Sequence, residues 1–186
     1  MHYTFHTVET APSSAKPILE GTKRKLGFVP NLYAGMANSP VTLEAYIALS
    51  GFFDKTSLSP TERQVVYLAT SVENGCEFCV AAHSVIAKKM VGVPPAFVDA
   101  LRDYGLPQDS KLAALAAFSI AVVRERGWVA ASPALVDFLE AGYTREQALE
   151  VVLGVTQKIL SNYANHLLGT PVNPELQSEA WTRNSA

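Results

Sequence analysis

Charged residues are scarce in this chain. They make up 17% of the 186 residues, against about 25% in typical globular domains, whereas apolar residues make up 48%. More apolar surface than usual must therefore be buried, and we expect a homo-oligomer that hides part of it. The net charge of −2 and the pI near 6.1 provide no basic surface. Neither nucleic acid nor an anionic membrane is expected as a partner.

Long hydrophobic runs and sorting signals are also missing. The longest nearly apolar run, Leu112 to Val123, is shorter than the roughly 20 residues that a bilayer requires. The first residues, Met1 to His6, lack the basic start and the apolar core of a signal peptide. Two cysteines are too few for a disulfide scaffold, and their CxxC spacing suits a reducing compartment. The sequence therefore predicts a cytoplasmic protein.

No stretch alternates strongly with the period of two that a β-strand shows, so the sequence predicts an all-α fold. One compact multi-helix domain, 1–186, is expected, with an N-terminal arm at 1–12 and an irregular or frayed tail at 171–186. Ser-Pro pairs, capping boxes and glycines mark the predicted helix ends. The predicted helices run from Ser13 or Ser14 to Leu26, Leu32 to Ala37, Val41 to Phe53, Pro60 to Glu73, Cys76 to about Val91, Pro95 to before Gly105, Lys111 to Arg126, Ala134 to Glu140, and Thr144 to Leu168.

The reactive side chains are most closely spaced in the segment Cys76-Glu77-Phe78-Cys79-Val80-Ala81-Ala82-His83. Residues three and four apart share one face of a helix, so Cys76, Cys79 and His83 form a single stripe. Cys79 falls in the first turn of the predicted helix, where the unpaired N–H groups and the helix dipole favour an anion. A thiol in this position, with an imidazole one turn on, should ionise more easily than a free thiol. Thiolates are the nucleophiles of thiol–disulfide and peroxide chemistry.

Three other interpretations of the cysteines compete with redox chemistry. A structural zinc site needs four ligands, whereas His2, His6 and His166 are distant in sequence. A structural disulfide would close a very small loop and would constrain the unfolded chain little. Two inert buried cysteines are the third alternative. Redox chemistry is the favoured interpretation, and it requires no metal, flavin or haem.

A possible internal repeat relates the two halves of the chain. Thr61, Gln64 and His83 recur 83 residues later, as Thr144, Gln147 and His166. A helical repeat that is reactive in the first copy and structural in the second is one interpretation, and chance is the other. For His166, a hydrogen-bonded structural role is favoured over a role near the thiols.

The segments Leu58-Ser59-Pro60-Thr61-Glu62-Arg63 and Asn74 to His83 resemble the AhpD-like alkylhydroperoxidases of the carboxymuconolactone decarboxylase superfamily. The specific motif match that carries this resemblance covers about residues 58–90. The resemblance implies an all-α AhpD-like fold, oligomerisation and thiol-dependent peroxidase activity. It also implies that Cys79 is the peroxidatic cysteine, that Cys76 resolves it, and that His83 belongs to a proton relay.

The chain departs from the pattern of the resembled family at two positions. A glutamate of the relay is replaced by Gln64, which cannot take up a proton, and a histidine before the second cysteine is replaced by Phe78. Among the nearby carboxylates, Glu62 is explained by helix capping. Glu73 and Glu77 are expected in solvent, although one of these carboxylates could substitute for the missing base. Gln64, Glu62 and Glu73 are the possible relay residues.

The sequence therefore predicts a peroxidase or disulfide reductase. Its expected partners are a hydroperoxide, a dithiol or protein reductant, and further copies of the chain. Two other functions remain open: a redox-sensing or binding oligomer without turnover, and a decarboxylase of a muconolactone-type acid. The second has no use for a dithiol, so the cysteines argue against it.

Overall fold

The computed structural model describes residues 2–184, and every regular element in that range is helical. This confirms the predicted all-α class. A π-helix, Ile86–Val91, directly continues the α-helix Glu77–Val85, and a 3-10 helix, Pro174–Glu179, lies in the C-terminal tail. The nine α-helices of the described range are α1 (Lys16–Leu26), α2 (Asn31–Met36), α3 (Pro40–Phe53), α4 (Pro60–Glu73), α5 (Glu77–Val85), α6 (Pro95–Arg102), α7 (Ser110–Arg124), α8 (Pro133–Glu140) and α9 (Arg145–Leu168).

Both predicted capping boxes are present. At the start of α4, Ser59 Oγ accepts a hydrogen bond from the Glu62 N–H at 3.3 Å, and the Glu62 carboxylate accepts one from the Ser59 N–H at 2.8 Å. Thr144 and Gln147 make the same reciprocal pair at the start of α9. These pairs satisfy N–H groups that would otherwise lack a partner, and so they fix where both helices begin.

Several predicted helix starts are displaced by one or two residues, and two of these displacements change a predicted cap or the position of a cysteine. The N-cap of α1 is Ala15, and neither Ser13 nor Ser14 caps it, because the turn over 13–15 runs directly into the helix. Cys76 is the N-cap of α5 rather than its first residue, since its backbone is still extended. Cys79 nevertheless lies in the first turn, as predicted.

Helix α4 lies at the centre of the fold. Nine consecutive residues, from Gln64 to Val72, are buried, so α4 is covered on all its faces. Gly154 lets α9 approach α3 and α4 closely: a Cβ at this position would lie 2.6 Å from the Phe53 ring and 2.9 Å from Val66. This close approach aligns α9 with the helices that hold the cysteines and His83.

The buried apolar residues form two clusters. One involves α4, α6, α7, α8 and α9, and includes Phe118 and Phe138, whose ring centroids are 4.6 Å apart. The other involves α1, α2, α3 and α5 and contains both Cys76 and Cys79. The dithiol therefore lies within a core and not on the surface of the chain.

The C-terminal tail packs on the rest of the protein as far as residue 184, with irregular backbone on both sides of its short 3-10 helix. Leu176 is buried in the same cluster as the cysteines. The Glu179 carboxylate binds Lys88 Nζ at 3.0 Å and Arg102 Nη1 at 3.3 Å. These contacts hold the tail against the elements that follow the dithiol motif.

Candidate active site

The two cysteines lie where the chain turns from α4 into α5. Helix α4 ends at Glu73, and Gly75 adopts φ of +65°, a conformation that favours glycine. The Cys76 N–H then donates to the Ser71 carbonyl at 2.9 Å. Both cysteines are unpaired thiols, and each is only 1% exposed.

Helix α9 supplies the opposite wall of the dithiol site. Asn165 Nδ2 lies 3.2 Å from Cys79 Sγ and 3.6 Å from Cys76 Sγ, so one amide contacts both sulfurs. Cys79 Sγ also lies 3.9 Å from Ser161 Oγ. One turn of α9 therefore places two polar side chains against the reactive atoms.

Asn162 joins α9 to the turn that carries the cysteines. Its Oδ1 accepts a hydrogen bond from Asn74 Nδ2 at 2.9 Å, and its Nδ2 donates to Ser71 Oγ at 3.4 Å. Asn162 occupies the position that corresponds to Cys79 in the possible repeat. It holds the scaffold around the site, which agrees with the structural role expected for the second copy.

The two sulfurs differ in their electrostatic environment. Burial raises the pKa of Cys79, but the hydrogen bond from Cys76, the positive charge of Lys158 and contacts with Ser161 and Asn162 lower it below the usual thiol value. The pKa of Cys76 is raised, first by that same hydrogen bond and then by burial. The site therefore favours a thiolate at Cys79 and a thiol at Cys76.

His83 is buried on α5 and bound on both sides of its ring. Nδ1 lies 3.0 Å from Gln64 Oε1, and Nε2 lies 2.9 Å from Lys158 Nζ. Burial, and then the charge of Lys158, hold the pKa of His83 well below its usual value. The ring is therefore neutral, and one tautomer fits: Nδ1–H donates to Gln64 while Nε2 accepts from Lys158.

Lys158 was missed by the sequence reasoning. It is 1% exposed, and its Nζ lies 5.2 Å from the centre of the Tyr67 ring. Among residues 2–184, no carboxylate lies within ion-pair distance of it. A signal for it exists in the sequence, because Lys158 falls on the stripe of α9 that also presents Val151, Val155, Ser161, Asn162 and Asn165, all of them buried.

The carboxylates proposed as substitute bases have other partners. Glu62 caps α4 and approaches Lys111 Nζ at 3.6 Å. Glu73 binds Arg124 Nε at 2.7 Å. In the described range, none of Glu62, Glu73 and Glu77 hydrogen-bonds to a cysteine, to Gln64 or to His83. Gln64 is the predicted relay residue that does contact His83.

The other histidines lie away from the dithiol. His166 is exposed on α9, beside Tyr163 at a ring-centroid distance of 6.4 Å. Neither of the two roles considered for His166 describes this position, because His166 is exposed while the preceding residue, Asn165, is buried against the thiols. His6 lies in the N-terminal arm, where Nδ1 is 3.4 Å from Thr10 Oγ1. Within 2–184, no group of three or more His, Cys, Asp or Glu side chains is arranged to hold a metal ion.

Two surface hollows lie beside the N-terminal arm and not at the dithiol. Their volumes are about 380 and 320 Å³, and Glu9 and Lys23 line both of them. Neither hollow is lined by Cys76 or Cys79. In the range 2–184, no helix is both long enough and apolar enough to cross a bilayer.

Comparison with known proteins finds one matching family model and several solved structures of similar fold. Residues 40–122, which include both cysteines and His83, match the sequence model of the carboxymuconolactone decarboxylase family. No curated protein matches the chain in sequence. A peroxidase-related protein from Ralstonia eutropha JMP134 with an alkylhydroperoxidase AhpD core superposes with a TM-score of 0.83 at 23% identity, over 94% of this chain and 93% of that one.

Two further solved structures have the same fold. A peroxidase-related protein from Silicibacter sp. TM1040 superposes with a TM-score of 0.79 at 18% identity, over 96% of each chain. The debrominase Bmp8, in complex with 2,3,4-tribromopyrrole, superposes with a TM-score of 0.80 at 19% identity, over 96% of this chain and 95% of that one. With the family match, these likenesses confirm the predicted resemblance to the AhpD-like proteins of the carboxymuconolactone decarboxylase superfamily.

Proposed function

We propose that this protein is a thiol-dependent peroxidase and disulfide reductase that acts on hydroperoxides through Cys79 and Cys76. The observation on which the proposal rests is the buried dithiol at the start of α5, where one sulfur is favoured as a thiolate and the other as a thiol. Stepwise oxidation to a disulfide needs this combination of a nucleophile and a resolving thiol. The AhpD-like fold, shared with peroxidase-related proteins, supports the same chemistry.

The reaction proceeds in three balanced steps. The Cys79 thiolate attacks the terminal oxygen of the hydroperoxide, the O–O bond breaks, and the alkoxide takes a proton, leaving a sulfenic acid and an alcohol. Cys76 then attacks the Cys79 sulfur, a disulfide forms, and the hydroxyl leaves as water with the proton of Cys76. A dithiol or protein reductant transfers two electrons and two protons by thiol–disulfide exchange, which restores both cysteines.

His83 has a supporting role in this scheme. It is neutral and bound on both nitrogens, and it does not hydrogen-bond to either sulfur. It therefore fixes the position of the Lys158 amine, with which its Nε2 can exchange a proton, whereas the Gln64 amide on its other side cannot take one up. The relay role predicted for His83 is retained in this form.

The proposal is tested by stopped-flow oxidation of the reduced protein with hydrogen peroxide and organic hydroperoxides, followed by turnover with a dithiol such as dithiothreitol. We expect stoichiometric loss of two thiols and repeated cycles with the dithiol present. Formation of the disulfide without turnover would instead favour a redox sensor. Persistence of both thiols under every peroxide would reject the peroxidase.

A second candidate function is the reductive removal of a halogen from an aromatic ring. It is favoured by the fold shared with the debrominase Bmp8 over 96% of this chain, and by the aromatic residues Tyr46 and Phe78 in the cluster that holds the cysteines. The dithiol would supply two electrons: the carbon–bromine bond is replaced by carbon–hydrogen, bromide leaves, and a disulfide forms. Bromide release from 2,3,4-tribromopyrrole by the reduced protein tests this function.

A further inference from the structure

Lys158 lies in the core without a carboxylate partner. It is 1% exposed, and within 2–184 its side chain forms no ion pair with Asp or Glu. Its Nζ donates to the neutral ring of His83 at 2.9 Å and faces the Tyr67 ring. An ammonium taken out of water costs several kcal/mol unless an anion compensates it, so a charged Lys158 requires a negative charge nearby.

The titratable groups around Lys158 leave one candidate for this anion. Lys158 acts electrostatically on Cys76, Cys79 and His83 of α5 and on Tyr67 of α4. Tyr46 of α3 lies near Tyr67 and the cysteines, and Tyr33 of α2 packs on Tyr46. The Asp54 carboxylate, which also acts on Tyr67, is exposed to solvent and lies 3.7 Å from Arg63 Nε. Burial raises the pKa of each of the three tyrosines, so all of them are neutral. His83 is neutral as well, and Cys76 remains a thiol. The Cys79 thiolate is therefore the negative charge.

We propose that Lys158 is the cation that pairs electrostatically with the Cys79 thiolate in the reduced protein, and that it gives up its proton to the leaving group when the dithiol is oxidised. Lys158 acts as a positioning residue that stores charge and a proton beside the reacting sulfur. The pairing is independent of the substrate. The transfer to an alkoxide rests on the proposed peroxidase function.

The charge balance of the buried site explains why the proton must move. The reduced site holds one thiolate and one ammonium, and its net charge is zero. When the disulfide forms, the negative charge disappears, and an ammonium left in the core would have no counter-ion. A buried amine without a counter-ion favours its neutral form. Oxidation then removes two electrons from the sulfurs and two protons from the site, one from Cys76 and one from Lys158.

The amide at position 64 fits this assignment. Gln64 Oε1 accepts from His83 Nδ1 at 3.0 Å and carries no charge. A glutamate there would place a negative charge on the far side of the His83 ring from Lys158, and it would compete with the thiolate for the same cation. The neutral amide leaves the charge of Lys158 available to Cys79.

The pairing is tested by the pH dependence of Cys79 alkylation with iodoacetamide. The Cys76→Ser background isolates Cys79 and keeps a hydroxyl donor beside it. In this background, Lys158→Met should move the alkylation midpoint upward by at least one pH unit, which lowers the alkylation rate by about tenfold at a pH below both midpoints. The exposed lysine variant Lys25→Met serves as the matched control and should leave the midpoint in place. An equal midpoint with and without Lys158 would overturn the pairing.

The proton transfer is tested on the native protein, so the result does not depend on the folding of a variant. Reduced protein is oxidised with glutathione disulfide in a weakly buffered solution containing an indicator dye, at a pH above the alkylation midpoint. If Lys158 releases its proton, disulfide formation should take up no net proton from the solution. If Lys158 keeps it, one proton is taken up for each disulfide formed, and the proposal is overturned. Because no peroxide is used, this result stands even if peroxidase activity is absent.

Discussion

The two sulfurs of the site are chemically alike, and their surroundings make them different. A hydrogen bond from Cys76 and the positive charge of Lys158 lower the pKa of Cys79. The hydrogen bond to Cys79, burial and the negative charge of Cys79 raise the pKa of Cys76, which therefore keeps its proton. Because the asymmetry arises from neighbours on α5 and α9, it gives each cysteine a separate role before any substrate arrives. This agrees with the assignment that the family resemblance implies.

The first prediction concerns those roles. In Cys76→Ser, mild peroxide oxidation should leave a sulfenic acid on Cys79, since no thiol remains to displace the hydroxyl. In Cys79→Ser, the effect of the Cys79 sulfur on the Cys76 pKa is lost, but burial still raises that pKa, so Cys76 should stay a thiol and react slowly near neutral pH. Dimedone trapping followed by peptide mass spectrometry measures both. Trapped sulfenic acid found only on Cys76, in the Cys79→Ser protein, would reverse the assignment.

The second prediction concerns Gln64. Since the pKa of Cys79 is lowered, its thiolate should persist at pH values below the usual thiol range and should disappear only when the pH falls through the lowered value. In Gln64→Glu, the new carboxylate lies one ring away from Lys158 and offsets its charge. The pKa of Cys79 should therefore rise, and alkylation should slow several-fold at pH values below the native midpoint.

Gln177→Glu is the matched control, because it adds the same charge on an exposed residue of the tail. It should leave the pH profile of Cys79 unchanged. One result for Gln64→Glu would instead favour a proton relay. In that case the peroxide pH–rate profile would gain a rising limb set by the new carboxyl group, and the limb set by the thiol would stay at its native pH.

At the scale of the elements, sequence reasoning found one half of the site and missed the other. The motif on α5 is local, and its spacing and capping box define it without the rest of the fold. Lys158, Asn162 and Asn165 lie about 80 residues further on, and they reach the thiols only because α9 packs against α4 and α5. Lysine and asparagine on a helix are usually solvated, so their composition alone gave no reason to place them inside.

The same limit applies to Gly154, which no sequence pattern singled out. In Gly154→Ala, the new Cβ would meet the Phe53 ring at 2.6 Å and Val66 at 2.9 Å. Overpacking of this kind costs about 1–3 kcal/mol of unfolding free energy, and it should also displace α9 from the thiols. Urea denaturation of the reduced protein, together with the Cys79 alkylation rate, measures the two effects.

Gly51→Ala is the control for that experiment. Gly51 lies within α3, and a Cβ there has open space around it. Alanine should therefore stabilise the protein by about 0.5–1 kcal/mol through helix propensity. A Gly154→Ala protein as stable as Gly51→Ala would contradict the close packing of α9 on α3 and α4.

At the scale of the whole molecule, the apolar excess in the composition is partly explained by two internal cores and partly remains on the surface. On α3, Leu43, Tyr46 and Phe53 are buried. Helix α7 has no large apolar side chain among the exposed ones. The exposed large apolar residues on α3 and α9, which we call the α3–α9 face, are Val41, Phe52, Leu149, Val152, Tyr163 and Leu167.

We therefore expect the predicted homo-oligomer to form through the α3–α9 face. Leu149 is 73% exposed and Phe52 is 57% exposed, and a partner that covers apolar side chains of this size would remove them from water. The double variant Phe52→Glu with Leu149→Glu should lower the assembly mass, because it buries carboxylates at any contact made through this face. Light scattering coupled to size-exclusion chromatography, at micromolar concentration, measures the mass.

Trp128→Glu, at a residue that is 89% exposed and lies outside both helices, is the control and should leave the assembly intact. A native protein that is monomeric under these conditions would contradict the prediction of assembly, whereas an oligomer unaffected by the double variant would place its interface elsewhere.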